Sequence, residues 1–275
     1  MNILIPTDFS KLSKIAIDYI LGLSRDIELN ITLIHVLNTS VPQARVTTKK
    51  LEEAIKMSSE VEMRELIQTI QKEHRSKHNI RYKIVVAHYI EEAVEKFALN
   101  NDIDLICIGT KGASGLKKIF IGSNAVAIIK KSSIPVLTIP EYARYRGIDS
   151  VLYCSDLYNI EEEIDRIILF IKLLDSSIQI VHVEEESEGS NFNILSEEKK
   201  LRELFSYENI SIKKLQNVSV MQGINQQVAD IDAELLILFT HTTNLFEEIF
   251  QKSVTQSIAF QSRIPILTFQ KNSSH

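Results

Sequence analysis

Short apolar runs alternate along the chain with segments in which apolar residues recur every three or four positions. The run Asn2 to Pro6 ends at a proline, which is typical of a buried strand. Ser10 then precedes a segment from Leu12 to Leu23 with helical spacing of its apolar residues, so we predict a helix capped by Ser10. The chain therefore begins with a β-strand followed by an α-helix.

The same alternation continues through the first 140 residues. Further strands are predicted at 31–37, 84–87, 105–108 and 135–139, and further helices at about 48–74, 90–98 and 121–129. Strands that are apolar throughout and alternate with amphipathic helices are typical of a parallel sheet covered on both faces. We therefore predict an α/β fold.

The pattern then restarts in the second half of the chain. Residues 151–156 match residues 3–8 at an offset of 148, and residues 235–269 align without gaps with residues 105–139 at an offset of 130. The longer alignment contains 11 identities, where chance would give about two. The sequence therefore predicts a duplicated fold.

A chain of 275 residues has the length of two domains. We place them at 1–142 and 150–275, with a linker near 141–149. Counting charges up to residue 142 gives 19 basic and 16 acidic residues, or +3, and the remainder has 12 and 20, or -8, which together make the net charge of -5. The second domain is therefore expected to repel polyanions.

Composition excludes several classes of protein. With 44% hydrophobic and 24% charged residues the chain can bury a core, so wholesale disorder is excluded. We expect neither a membrane span nor a secretory signal, because no apolar stretch is long enough and the first residues already form a strand. The two cysteines, Cys107 and Cys154, lie in apolar runs without the spacing of zinc ligands, so we expect a reduced cytoplasmic protein.

Glycines are concentrated in one place. The chain has 8 glycines, and four of them, Gly109, Gly112, Gly115 and Gly122, fall within 14 residues where a predicted strand leads into a predicted helix. Glycines at such a turn let main-chain amides approach an anion, and the helix N-terminus adds its positive end. The sequence therefore predicts a phosphate site. It matches neither the P-loop pattern nor the dinucleotide fingerprint after the first strand.

Four segments together resemble the universal stress protein family in its tandem two-domain form. They are the spacing G-x2-G-x9-G-[ST], the opening ILIPTDFS, the strand ITLIHV and the closing IPVLTI. The resemblance is strong over 1–140 and weak over 151–269. It implies two open five-stranded parallel sheets of order 3-2-1-4-5 with helices on both faces, arranged as an intramolecular pseudo-dimer. It also implies ATP binding in members that keep the glycine motif.

The same resemblance implies which residues would hold ATP, with or without Mg²⁺. Pro6, Thr7 and Asp8 would face adenine and ribose, and the backbone at Val36 would hydrogen-bond the adenine edge. The other expected residues lie in and beside the glycine motif: Ile108, Gly109, Lys111, Gly112, Gly122, Ser123 and Asn124. Asn124 departs from the small apolar residue or threonine often found there.

Some of these residues have simpler structural explanations, which the sequence leaves open. Asp8 would serve equally well as a cap for the first helix. Lys111 would be a solvated side chain in a loop. His35 and His182 occupy equivalent places in the two domains, and we interpret them as hydrogen-bonded structural residues rather than catalytic ones.

In the second domain the glycine motif is lost. Phe239, Thr242 and Lys252 stand where the first domain has Gly109, Gly112 and Gly122, whereas Asp156 and Ser253 match their counterparts. Side chains would fill the space that phosphates need, and the net charge opposes a polyanion. We predict that this domain does not bind ATP in the family manner.

The resulting functional hypothesis is a cytoplasmic stress-response protein that binds ATP in its first domain as a regulatory ligand. Hydrolysis stays open and would be slow at most, because no carboxylate pair or general base attaches to the motif. One alternative is a nucleotide-independent interaction or chaperone-like module. Another is an enzyme of the adenine-nucleotide α-hydrolase superfamily, against which the missing SGGxDS-type loop argues. We expect an unidentified protein partner, but neither nucleic acid nor membrane.

The fifth strands suggest how the two domains would assemble. In a 3-2-1-4-5 sheet, residues 135–139 and 265–269 would be short apolar edges, which invite pairing with another strand. We predict that 136–138 packs antiparallel against 266–268 within one chain. Further homo-oligomer formation is left open.

Overall fold

The computed structural model describes residues 1–38, 49–74, 80–110, 122–184, 193–216, 220–240 and 264–270. These residues form two compact units, one within 1–144 and the other within 145–270. The predicted pairing of the two fifth strands stays a prediction.

The first unit alternates strands and helices as the periodicity predicts. Its elements are β1 (Asn2–Pro6), α1 (Lys11–Leu23), β2 (Asn30–Asn38), α2 (Lys49–His74), β3 (Arg81–Ala87), α3 (Ile90–Asn100), β4 (Leu105–Gly109), α4 (Ser123–Lys131) and β5 (Val136–Ile139). Ser10 caps α1 as predicted, because its side chain accepts a hydrogen bond from the Ser13 amide. The third strand begins at Arg81, three residues before the predicted start at residue 84.

The strands of the first unit are parallel and lie in the order β3-β2-β1-β4-β5. This is the predicted 3-2-1-4-5 order. The inner strands β1 and β4 are apolar and almost wholly buried, which agrees with helices packing on both faces. The strand order reverses direction at β1, because β2 and β3 lie on one side of β1 and β4 and β5 lie on the other. A crevice at the carboxyl ends of the strands is expected at that point.

The second unit repeats this topology with a shorter second helix. Its elements are β6 (Ser150–Cys154), α5 (Ile160–Leu174), β7 (Ser177–Glu184), α6 (Ile194–Phe205), β8 (Ile210–Gln216), α7 (Val220–Asp230), β9 (Leu235–Phe239) and β10 (Ile266–Phe269). The strands are parallel in the order β8-β7-β6-β9-β10, which is again 3-2-1-4-5. None of the helices that the structure describes is both long enough and apolar enough to cross a bilayer.

Candidate functional site

A cleft of about 460 Å³ opens at the carboxyl ends of β1 and β4 in the first unit. It brings together nine residues that the sequence analysis named as ligand contacts: Pro6, Thr7, Asp8, Val36, Ile108, Gly109, Gly122, Ser123 and Asn124. Lys111 and Gly112 lie outside the described residues. Segments that are far apart in sequence thus converge on one crevice, at the switch point of the sheet.

The cleft also has lining residues to which the sequence analysis assigned no ligand contact. They are Ser10, Leu12, Ser13, Ile34, His35, Ile90, Ala125 and Ile128. Most are apolar, as is usual in small-molecule sites. The first residue of α3, Ile90, lies here because β3 ends beside β2. The helical spacing of apolar residues predicted that Ile90 packs in the core, and nothing in the sequence indicated a ligand contact for Ile90.

The turn between β1 and α1 is held by hydrogen bonds between neighbouring residues. The Ser10 amide donates to Asp8 Oδ1 at 3.1 Å, and the Phe9 amide donates to Thr7 Oγ1 at 3.1 Å. Phe9 has a φ of 61°, a left-handed conformation that is uncommon for a residue with a side chain. The Thr7 hydroxyl in turn donates to Ser13 Oγ at 2.9 Å. These bonds hold the turn in one conformation.

Asp8 is an exposed carboxylate at this turn. Partial burial acts to raise the pKa of Asp8, but hydrogen bonds from Ser10 outweigh it, and the pKa is lowered from its ordinary value. Asp8 is therefore ionised at neutral pH and can accept hydrogen bonds from ligand hydroxyls. Because Ser10 is the cap of α1, the alternative role of Asp8 as that cap is excluded; it closes the turn before the helix.

His35 fastens β2 to the same turn. Its Nδ1 lies 2.7 Å from the Thr7 carbonyl oxygen. A carbonyl can only accept, so Nδ1 carries the proton. The ring also lies against Phe9, with 4.5 Å between ring centroids. These contacts agree with the interpretation of His35 as a hydrogen-bonded structural residue.

Gly109, the last residue of β4, is required by packing inside the fold. A Cβ atom on Gly109 would lie 2.4 Å from the Leu12 carbonyl oxygen and 2.8 Å from its carbon. The first turn of α1 thus approaches the end of β4 more closely than any residue with a side chain permits. The absence of a side chain at Gly109 therefore has an explanation that needs no ligand.

Gly122, the residue before α4, has neither of the usual structural reasons to be glycine. Its φ of -58° and ψ of 147° suit any residue, and a Cβ atom there would meet no described atom within 4 Å. It lines the cleft at the N-terminus of α4, and the helix begins without a side-chain cap. The first-turn amides of α4 therefore have no partner within their own helix, and the bare Gly122 leaves the space before them open.

The second unit repeats the two amide hydrogen bonds and the histidine contact of the β1–α1 turn. The Tyr158 amide donates to Asp156 Oδ1 at 2.9 Å, and the Leu157 amide donates to Ser155 Oγ at 3.0 Å. Leu157 is left-handed with a φ of 65°. The Nδ1 atom of His182 lies 3.0 Å from the Ser155 carbonyl oxygen. The turn is thus a property of the duplicated fold.

The counterpart of Gly109 is different in kind. Phe239 is buried and stacks on Phe269, with 5.1 Å between ring centroids, and meets Tyr153 edge-on at 5.8 Å. The Arg166 guanidinium lies 5.3 Å from the centroids of both phenylalanine rings and donates to the Gln270 carbonyl at 2.6 Å. The alignment of the two domains predicted the Phe239 side chain in the phosphate space, but the side chain packs in the core instead. Thr242, Lys252 and Ser253 lie outside the described residues.

A buried carboxylate completes this cluster. Glu163 on α5 is 5% exposed and accepts hydrogen bonds from the Tyr153 hydroxyl and from Ser155 Oγ. Burial, with the negative charge of Glu163, raises the pKa of Tyr153 well above its ordinary value. At the matching position the first unit has Ile15, so the polar network is peculiar to the second unit.

Comparison with known proteins agrees with this architecture. Residues 1–140 match the model of the universal stress protein family. The chain belongs to that family. Universal stress protein MJ0577 of Methanocaldococcus jannaschii is 27% identical over 154 residues, which cover 50% of this chain and 93% of that protein. Universal stress protein MJ0531 of the same organism is 28% identical over 142 residues, covering 50% of this chain and 81% of that protein.

Each of these relatives corresponds to half of the present chain, which fits the tandem form of a universal stress protein. The crystal structure of a universal stress protein from Archaeoglobus fulgidus has a TM-score of 0.71 at 18% identity and covers 98% of both chains. At that identity the likeness concerns the fold. The predictions of the family and of its α/β fold are confirmed.

Proposed function

We propose that this universal stress protein binds ATP in the cleft of its first unit and uses it as a regulatory ligand in a stress response. The observation that carries the proposal is Gly122, which neither backbone conformation nor packing requires to be glycine among the described residues. A bare position in front of the uncapped N-terminus of α4 suits a phosphate group, since helix amides and the helix dipole both favour an anion.

The rest of the cleft suits a nucleoside. Apolar side chains such as Ile34, Ile90 and Ile108 offer surfaces for a base, and the ionised Asp8 offers acceptors for ribose hydroxyls. Val36 would hydrogen-bond the adenine edge through its backbone. Lys111 and Gly112 would complete the phosphate contacts, and Mg²⁺ would accompany the phosphates.

Binding without rapid turnover is the role that these groups favour. In the described lining Asp8 is the one carboxylate, and its Oδ1 already accepts from Ser10. His35 uses Nδ1 to hold Thr7. That contact leaves Nε2 as the basic nitrogen of His35, but the described lining holds no pair of carboxylates for general acid–base catalysis. ATP would instead stabilise one conformation of the protein, which a protein partner then recognises.

Isothermal titration of the full chain with ATP, with and without Mg²⁺, tests this proposal. We expect one ATP per chain. Gly122→Val should abolish binding while circular dichroism shows a folded protein, because the branched side chain would occupy the phosphate space. Ala127→Val adds the same side chain on α4 outside the cleft lining and should bind normally. Equal affinity of wild type and Gly122→Val would contradict the site.

Mass spectrometry of nucleotide released from purified protein separates this function from its main alternative. ATP should be recovered from wild type and not from Gly122→Val. A nucleotide-independent interaction module would release none from either protein.

A further inference from the structure

Four side chains connect α1 to the end of α2, and none of them lines the cleft. Lys14 and Asp18 lie one turn apart on α1, and Glu73 and His74 are the last two residues of α2. His74 Nε2 lies 3.0 Å from Asp18 Oδ1, and Lys14 Nζ lies 2.9 Å from Glu73 Oε2. We call these residues the α1–α2 cluster.

Three members of the α1–α2 cluster carry metal-ligating atoms. One such atom each from Asp18, Glu73 and His74 lies within 4.8 Å of the other two. In tetrahedral zinc sites, nitrogen and oxygen ligands about 2.0 to 2.2 Å from the metal lie about 3.3 Å from one another. The three side chains are therefore close enough for small rotations to bring them around one ion.

The donor set indicates the class of ion. An imidazole nitrogen suits Zn²⁺, Cu²⁺, Ni²⁺ and Fe²⁺, whereas Mg²⁺ and Ca²⁺ take oxygen ligands almost alone. Three protein ligands leave a fourth position for water. His74 is 22% exposed, Asp18 37% and Glu73 49% as side chains, so an ion and its water have access from solvent.

The position at the end of α2 favours a cation independently of the side chains. The last carbonyl groups of a helix and its dipole make this end negative. The Lys14 ammonium already pairs with the Glu73 carboxylate near this end of the helix. The Lys14 side chain is 35% exposed and can therefore turn out into solvent.

We propose that Asp18, Glu73 and His74 bind a divalent transition-metal ion of the Zn²⁺ class, and that Lys14 competes with the ion for Glu73. Binding replaces the Asp18–His74 hydrogen bond and the Lys14–Glu73 ion pair with metal–ligand bonds. The ion then fastens the C-terminus of α2 to α1.

Titration of the full chain with Zn²⁺ by calorimetry tests the proposal. We expect one Zn²⁺ per chain at this site. The affinity for Zn²⁺ should fall about 100-fold in His74→Gln and in Asp18→Asn, because loss of a group that only hydrogen-bonds to a metal ligand already lowers metal affinity 10- to 100-fold. Lys14→Met removes the competing charge and should bind Zn²⁺ more tightly than wild type. His88 is an exposed residue between β3 and α3, and His88→Gln should leave Zn²⁺ binding unchanged.

Thermal unfolding supplies a second readout that does not depend on the calorimetric model. Zn²⁺ should raise the Tm of wild type and of His88→Gln, and should leave the Tm of His74→Gln unchanged. Failure of wild type to bind Zn²⁺, or full binding by His74→Gln, would overturn the site. Equal affinity of Lys14→Met and wild type would overturn the competition.

Discussion

The two units have the same turn between their first strand and first helix, but they differ at the end of their fourth strand. Asp8 and Asp156 each accept a hydrogen bond from the amide two residues on, and a histidine holds each turn through Nδ1. The second unit keeps these bonds without the glycine motif. The turn is thus a requirement of the fold, and its residues alone do not identify a ligand site.

What differs between the units is the end of the fourth strand. In the first unit Gly109 lets α1 approach within contact of β4, and a cleft remains beside it. In the second unit Phe239 takes that position and packs with Phe269, Tyr153 and Arg166. The duplicated fold therefore shows two solutions at one place, a glycine beside a cleft and an aromatic residue that adds to the core.

The largest effect is expected from removing the aromatic residue. Phe239→Ala should cost about 3 to 5 kcal/mol of unfolding free energy, because it leaves a cavity and takes a ring from beneath Arg166. Urea denaturation measures this loss. Phe97→Ala, which truncates a half-buried phenylalanine of the first unit, should cost less. A loss below about 1 kcal/mol for Phe239→Ala would contradict the core role.

A second effect distinguishes the two glycines of the first unit. Gly109→Ala should cost about 1 to 3 kcal/mol, because the new Cβ would overlap the Leu12 backbone, which cannot move without shifting α1. Gly122→Ala, with no described atom nearby, should change stability by less than about 1 kcal/mol and weaken ATP binding. Denaturation and ATP titration of the same two variants check this. A larger loss of stability in Gly122→Ala than in Gly109→Ala would contradict a packing role for Gly109 and a ligand role for Gly122.

Much of the fold followed from the sequence because hydrophobic periodicity records which faces are buried. The order of strands and helices in the first unit, and Ser10 as the cap of α1, could be predicted on that basis. The convergence of Pro6, Val36 and Gly122 on one cleft followed from parallel topology together with the family resemblance.

Side-chain partnerships were not predictable in the same way. Gly109 and Gly122 have the same letter in the motif, yet one is required by the Leu12 backbone and the other faces open space. The network of Glu163 and Tyr153 joins residues ten apart on a strand and a helix, so no local spacing reveals it. Such distinctions depend on distances between elements, which periodicity does not encode.

The smallest expected effect concerns the pair Asp8 and Asp156. Each Asp→Ala substitution removes one turn hydrogen bond and should cost about 0.5 to 1.5 kcal/mol, with Asp8 toward the lower end because it is exposed. ATP affinity should fall in Asp8→Ala and stay unchanged in Asp156→Ala. Both variants are titrated with ATP under conditions where the same fraction of each protein is folded, so that a difference in affinity does not come from unfolding. Equal loss of affinity in both, or in neither, would remove Asp8 from the ligand contacts.

Acid should reduce the stability that Asp8 provides. Its pKa in the folded protein is lowered from the ordinary value of 3.8, against the effect of partial burial, by hydrogen bonds from Ser10. A lowered pKa means that the ionised form stabilises the fold above pH 3.8 and that this contribution disappears as the pH falls through the lowered pKa. The difference in unfolding free energy between wild type and Asp8→Ala should therefore be constant near neutral pH and shrink below pH 3.8. Urea denaturation across that range measures it, and a difference that grows in acid would show that Asp8 stabilises the turn in its protonated form.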